Sequence, residues 1–112
     1  MPVIDEKTFA ELKQMSGAEF INELIDTFLE DSPKLIEEMA SALRVNNVDS
    51  FRRAAHSLKS NAATFGADEL FALAKDLEML GKENRLDETG DRLVMLEESY
   101  ESVRKELSEL RS

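Results

Sequence analysis

Cysteine is absent from the 112 residues. Its absence excludes a disulfide framework, a thiolate metal site and a cysteine nucleophile, and it fits a reducing compartment. Long apolar runs are also missing. No stretch approaches the ~20 residues that a membrane span requires. The N-terminal MPVIDEK lacks a basic segment followed by an apolar one, so no signal peptide is evident. Basic residues are a minority, 14 against 24 acidic, for a net charge of -10. That surplus disfavours contact with nucleic-acid phosphates and with anionic lipid. The expectation is a cytoplasmic protein with neither nucleic acid nor membrane as partner, its charge serving solubility. Phosphate-cradling glycine loops and the Gly-x-Ser-x-Gly nucleophile elbow are absent as well.

The chain is of single-domain length, 1–112, and 42% of its residues are hydrophobic, enough for a real core. Only two prolines and four glycines punctuate it. Met1 to Ile4 reads as a short extended lead-in. Asp5 can cap a first helix that reaches about Met15, with Phe9 and Leu12 apolar, and Ser16-Gly17 breaks it. A second helix is expected from about Ala18 to Glu30, with Phe20, Ile21, Leu24, Ile25 and Phe28 as a wide apolar face. Ser32-Pro33 reads as a restart, N-cap followed by first helical position. The third helix then runs to about Val45 through Leu35, Ile36, Met39, Ala42 and Leu43. Asn46-Asn47 is a turn, and Asn47 or Asp49 caps a fourth helix that stops at Gly66, a glycine suited to the C′ position. A fifth helix covers about Ala67 to Leu80 with Leu70, Leu73, Ala74, Leu77 and Leu80 inward; Gly81 is expected to fray it. Beyond a polar connection, a last helix from about Glu88 to Leu110 carries Leu93, Leu96, Tyr100, Val103, Leu107 and Leu110 at spacings of three and four. No segment alternates with period two. The fold class is all-α, an antiparallel four-helix bundle with an additional short N-terminal helix packed across one end.

Histidine occurs once, at His56. On the fourth helix, Phe51, Ala55, Leu58, Ala62 and Phe65 form one apolar stripe, and His56 lies about 140° from its centre at 100° per residue. Its neighbours one turn away are Arg52, Arg53, Lys59 and Ser60, with Ala63 a turn further on. Cations around an imidazole favour the neutral, nucleophilic ring by like-charge repulsion. The same cations would stabilise an added phosphoryl group, which carries close to two negative charges. A carboxylate-bridged di-iron site finds no support, since Arg53 stands three residues before the single histidine. Adjacent acidic pairs such as Glu37-Glu38 and Glu97-Glu98 do not share a helix face. No metal site is expected.

The stretch AAHSLKSNAATFGADELFALAKDLE is similar to the signature of histidine-containing phosphotransfer (HPt) domains. That family commonly shows Ala-His-x-Leu-Lys-(Gly or Ser)-x-(Ser or Ala), then Gly-Ala or Gly-Leu, then a helix ending in Leu-Glu or a related pair. The likeness covers about 25 residues, and the helical order of the remainder fits it. It implies a four-helix bundle in a phosphorelay, accepting a phosphoryl group from one receiver-domain aspartate and passing it to another. At matching positions His56 is the phospho-acceptor, Lys59 the phosphate-side cation, and Glu78 the group that orients the imidazole, where the family often has Gln. Lys82 matches a second basic position, and Ser60 stands where many members have Gly. The docking face for a partner is expected to comprise Arg52, Ser60 and Ala63 with Phe71 and Lys75 of the next helix, and Gly66 is structural. The resemblance further implies that the receiver brings its own Mg²⁺ and acidic pocket. The carrier then needs no cofactor, and without turnover of its own it is no autonomous enzyme. Partners are response-regulator receiver domains and, in some pathways, a hybrid histidine kinase; a monomer is expected. Two rival readings are a module of a larger histidine kinase and a non-phosphorylated helical adaptor using the same face. The intact His-Leu-Lys pattern disfavours the adaptor. Met1 at the start and no ATP-binding motif favour a stand-alone carrier.

Overall fold

The computed structural model describes residues 3–111. Within them the chain forms α1 (Glu6–Ser16), α2 (Ala18–Arg44), α3 (Val48–Phe65), α4 (Asp68–Lys82), a 3-10 turn (Leu86–Glu88) and α5 (Arg92–Leu110), with no strand among the described residues. Helices α2 to α5 close an antiparallel bundle, each packed against its neighbours in the ring, and α1 lies against α2 and α3. The core is continuous. Phe51, Leu58, Leu70, Leu77, Leu96 and Leu107 are fully buried at its centre, each side chain stabilising the fold by roughly 1.5–3 kcal/mol. At the end holding α1, the Phe65 ring stacks on Phe9 with centroids 6.5 Å apart and meets Phe28 edge-on at 5.3 Å.

The expected restart at Ser32-Pro33 does not occur. Residues 18–44 are one helix with Pro33 inside it. At 1.5 Å per residue it runs about 40 Å, nearly the full 42 Å length of the molecule. The inward row Ile21, Ile25, Phe28, Ser32, Ile36, Met39 and Ala42 crosses the proline without a break, while Pro33 itself faces solvent. A proline inside a helix costs ~3 kcal/mol, and the continuous buried face outweighs it. Ser32, expected as a cap, is wholly buried. Merging two expected helices leaves four long ones beside α1.

Other boundaries shift for local reasons. Ile4, in the expected extended lead-in, sits in a bend and is buried, whereas Met1 and Pro2 lie outside the described residues. Phe20 is not part of the inward face of α2 but 51% exposed, because the buried row begins at Ile21. The last helix begins at Arg92 rather than Glu88; Glu88 belongs to the 3-10 turn, and Gly90 follows it with φ +54°. The expected caps on α1 and α3 form. Asp5 accepts the Thr8 N–H at 3.1 Å and Asn47 the Ser50 N–H at 3.2 Å.

Two glycines position α3. Gly66 ends it in the left-handed region, φ +70°. A Cβ there would lie 2.8 Å from Thr8 Cβ and 2.9 Å from Asp5 Cβ, so the absent side chain also lets the start of α1 close over the α3–α4 corner. The Gly66 carbonyl accepts the Asp5 N–H at 2.8 Å. Gly81 does not fray α4. It is buried within the last turn, where a Cβ would meet Arg52 Cβ at 3.1 Å and Arg52 Cα at 3.3 Å. The missing Cβ brings the backbones of α3 and α4 together one turn from Glu78.

Candidate functional site

The pairing of α3 with α4 sets the site. Its antiparallel register places Gly81 against Arg52, and Glu78 therefore lies beside His56 and Lys59. Glu78 is a carboxylate inside the core row of α4, with 4% of its side chain exposed. A buried carboxylate is tolerated only when hydrogen-bonded and charge-paired. Here Oε2 lies 2.7 Å from His56 Nδ1 and Oε1 lies 2.7 Å from Lys59 Nζ. Lys82 Nζ, one turn further along α4, stands 3.8 Å from Oε2. Burial works against the negative charge, but the bonds from Lys59 and His56 outweigh it and hold the carboxyl below the ordinary glutamate range.

An ionised Glu78 fixes the tautomer of the ring. A carboxylate is acceptor only, so the hydrogen of a neutral imidazole must sit on Nδ1 and donate to Oε2. The lone pair is then on Nε2. No hydrogen bond reaches Nε2 among the described residues, and 59% of the His56 side chain is exposed. The arrangement is an oriented imidazole whose Nε2, nucleophilic when the ring is neutral, faces solvent over an open recess lined by Arg52, Arg53, Ser57, Glu78 and Lys82.

The cations differ from the expected crowd. Arg52 and Arg53 both turn to Asp49, at 2.9 Å and 3.2 Å. Lys59 is mostly covered, 21% exposed, and bonded to Glu78 rather than free at the surface. Lys82, of the four cations next to the ring, is exposed and loosely held. The Asp49 pairings were readable at the i+3 and i+4 spacings of one helix. The bond from Lys59 to Glu78 spans two helices and left no such mark.

The structure thus brings His56, Lys59, Glu78 and Lys82 into one cluster. The remaining expected residues extend from it along the same side of the bundle. Ser60 and Ala63 are exposed on α3 at i+4 and i+7 from His56, and Lys75 is exposed on α4 at i−3 from Glu78. Phe71 is half-buried against the core, and Arg52 is partly covered. Gly66 lies away from the ring, at the corner closed by α1. Gly81 is the residue that sequence reasoning missed. Its one signal was a glycine in an otherwise regular helix next to Lys82, and the reason for it is a neighbour on another helix. Among the described residues, no three His, Cys, Asp or Glu side chains converge to hold a metal ion.

Comparison with known proteins bears on this cluster. The family model for the Hpt domain matches residues 23–112. The chain belongs to the Hpt domain family. Among similar relatives of this Hpt protein is the phosphorelay protein LuxU of Vibrio vulnificus, 29% identical over 109 residues, which are 96% of this chain and 95% of the relative. LuxU of Vibrio harveyi is 30% identical over 88 residues, 79% of this chain and 77% of the relative. Among solved structures, the histidine-containing phosphotransfer protein HptB of Pseudomonas aeruginosa PAO1 superposes with a TM-score of 0.92 at 26% identity, covering 98% of this Hpt chain and 95% of the other. The helical bundle and its order are those of the family. No helix of the described residues is long and apolar enough to cross a membrane.

Proposed function

We propose that this Hpt protein is a phosphoryl carrier of a phosphorelay, with His56 Nε2 as the acceptor atom. The observation that carries the reading is the 2.7 Å contact between His56 Nδ1 and the buried Glu78 carboxylate, which leaves Nε2 as the exposed nucleophile. The step is an in-line displacement. The Nε2 lone pair forms a bond to phosphorus of a receiver's aspartyl phosphate while the acyl P–O bond breaks, its electrons returning to the aspartate. Passage to a second receiver is the reverse. Phosphoryl transfer is chiefly a matter of positioning and charge compensation. Glu78 orients the ring, and Lys82 and Lys59 offer charge to the arriving oxygens. The exposed, small Ser60 and Ala63 leave room for a receiver domain to close in, flanked by Arg52, Phe71 and Lys75. The chain turns over nothing alone. It becomes a substrate and then a donor.

Incubation with radiolabelled phosphorylated receiver domains tests the reading. Label should pass to the chain as an acid-labile, base-stable adduct and from there to a second, unlabelled receiver. If no receiver of a broad panel transfers label, the carrier reading fails.

A further inference from the structure

Glu78 is a charged group where orientation alone would need only a neutral acceptor. A glutamine oxygen could take the Nδ1 hydrogen equally well. Yet this chain buries a carboxylate there and spends Lys59 and part of Lys82 in holding it. That cost has a use once the ring is phosphorylated. We propose that the charge of Glu78 keeps the proton on Nδ1 of phosphorylated His56, and so keeps the phosphoryl group transferable over a wider range of pH than the imidazole itself would allow. The proposal rests on His56 being the carrier.

The chemistry follows from the leaving group. With phosphorus on Nε2 and hydrogen on Nδ1 the ring is a cation. When an acceptor oxygen attacks, the P–N bond breaks, its electron pair returns to Nε2, and the ring departs as neutral imidazole. The Nδ1 hydrogen and the Glu78 carboxylate are unchanged throughout. Without that hydrogen the ring would have to depart as an imidazolate anion, a far poorer leaving group. Transfer therefore follows the protonated fraction of the phosphorylated ring. An adjacent opposite charge at hydrogen-bond distance raises that fraction.

Of the other charges around the ring, two cations are paired elsewhere and two share the carboxylate, offsetting part of its charge. Arg52 and Arg53 on α3 are each paired with Asp49. Lys59 on α3 and Lys82 on α4 reach Glu78. The oxygen in contact with Nδ1 is that of Glu78. The phosphoryl group's own negative charge acts in the same direction. Glu78 is a positioning residue, since it touches the ring and not the phosphorus.

The test needs no partner. The protein is phosphorylated with phosphoramidate, freed of the reagent, and its loss of phosphoryl to water is followed by ³¹P NMR from roughly pH 6 to pH 9, a range spanning ordinary imidazole titration. The rate of the wild-type protein should stay nearly flat across that range. Glu78→Gln should match it at the acid end and fall about tenfold below it at the alkaline end, the size of effect an adjacent charge commonly has on a proton equilibrium. Glu78→Asp should restore part of the difference. The wild-type protein compared with itself in urea, where the contact is lost, gives the same contrast without any variant. Superimposable profiles for wild type and Glu78→Gln, or for folded and urea-unfolded wild type, overturn the proposal while leaving the carrier reading intact. Phosphoramidate label that persists unchanged in His56→Gln overturns both.

Discussion

At the scale of the residue, the position of His56 was legible from helical phase alone, because an apolar stripe on one face defines the opposite face without any knowledge of neighbours. The roles expected of Lys59, Glu78 and Lys82 came through family resemblance, and the structure gives them geometry. It also changes one expectation. Lys59, expected only as the phosphate-side cation, is also partner to a buried carboxylate. Lys59→Ala leaves one Glu78 oxygen without its lysine and should lower stability by about 2 kcal/mol, the usual cost of depriving a buried acceptor, measured by urea unfolding. A change near zero would mean that Lys82 or water replaces it. The acid limb gives a second check. The carboxyl of Glu78 is depressed in the folded state by Lys59 and His56 against the opposing effect of burial. Its contribution to stability is present above the unfolded-state value and is lost as pH falls through the lower folded-state one. Wild type should therefore lose more stability than Glu78→Gln between neutral and strongly acid pH; parallel curves in urea titrations would show that the ion pair contributes nothing. The bond between Lys59 and Glu78 was not legible because it depends on the register of α3 against α4, which no single-helix pattern encodes.

At the scale of the element, the caps and stops were readable and the continuity of α2 was not. Ser-Pro is equally good chemistry at a helix start and at a tolerated outer-face position. What decides is whether the apolar row carries on, and Ile21, Ile25, Phe28, Ile36 and Met39 show that it does. Gly66 was read correctly as a C′ glycine, but the pressure of Thr8 and Asp5 against it arises from α1, far away in sequence. Gly66→Val combines a β-branched residue at positive φ with a backbone-proximal clash. It should destabilise by about 2–4 kcal/mol, lowering Tm by several degrees for each kcal/mol in a domain of this size. Gly81 was read wrongly, as a point of fraying, because its neighbour is the Arg52 backbone. Gly81→Val should push α4 off α3 one turn from Glu78 and weaken the contact with His56. The ¹⁵N shifts of the imidazole would then move toward the mixed tautomers of a free ring. An unchanged Nδ1–H tautomer in Gly81→Val would show that the site does not depend on that close approach.

At the scale of the whole molecule, an all-α bundle was legible because every long segment carries a three-and-four apolar spacing, and the family likeness fixed its order. The face that receives a partner is a property of the folded surface. Helical spacing places Ser60 and Ala63 in line with His56, and the structure sets both exposed. Ser60→Leu keeps helix propensity but places bulk one turn from Nε2. Circular dichroism should be unchanged while receiver affinity and transfer rate fall at least tenfold; wild-type kinetics would remove this face from the docking surface. The central claim is narrower, that phosphorus enters at Nε2 of His56 while Glu78 holds Nδ1. A long-range ¹H–¹⁵N spectrum of the imidazole, recorded after transfer from a phosphorylated receiver, reads both nitrogens at once. The account predicts a large shift and phosphorus coupling at Nε2, with Nδ1 still protonated. Phosphorus coupling at Nδ1, or an unperturbed His56 in a protein that has gained phosphate, would contradict it.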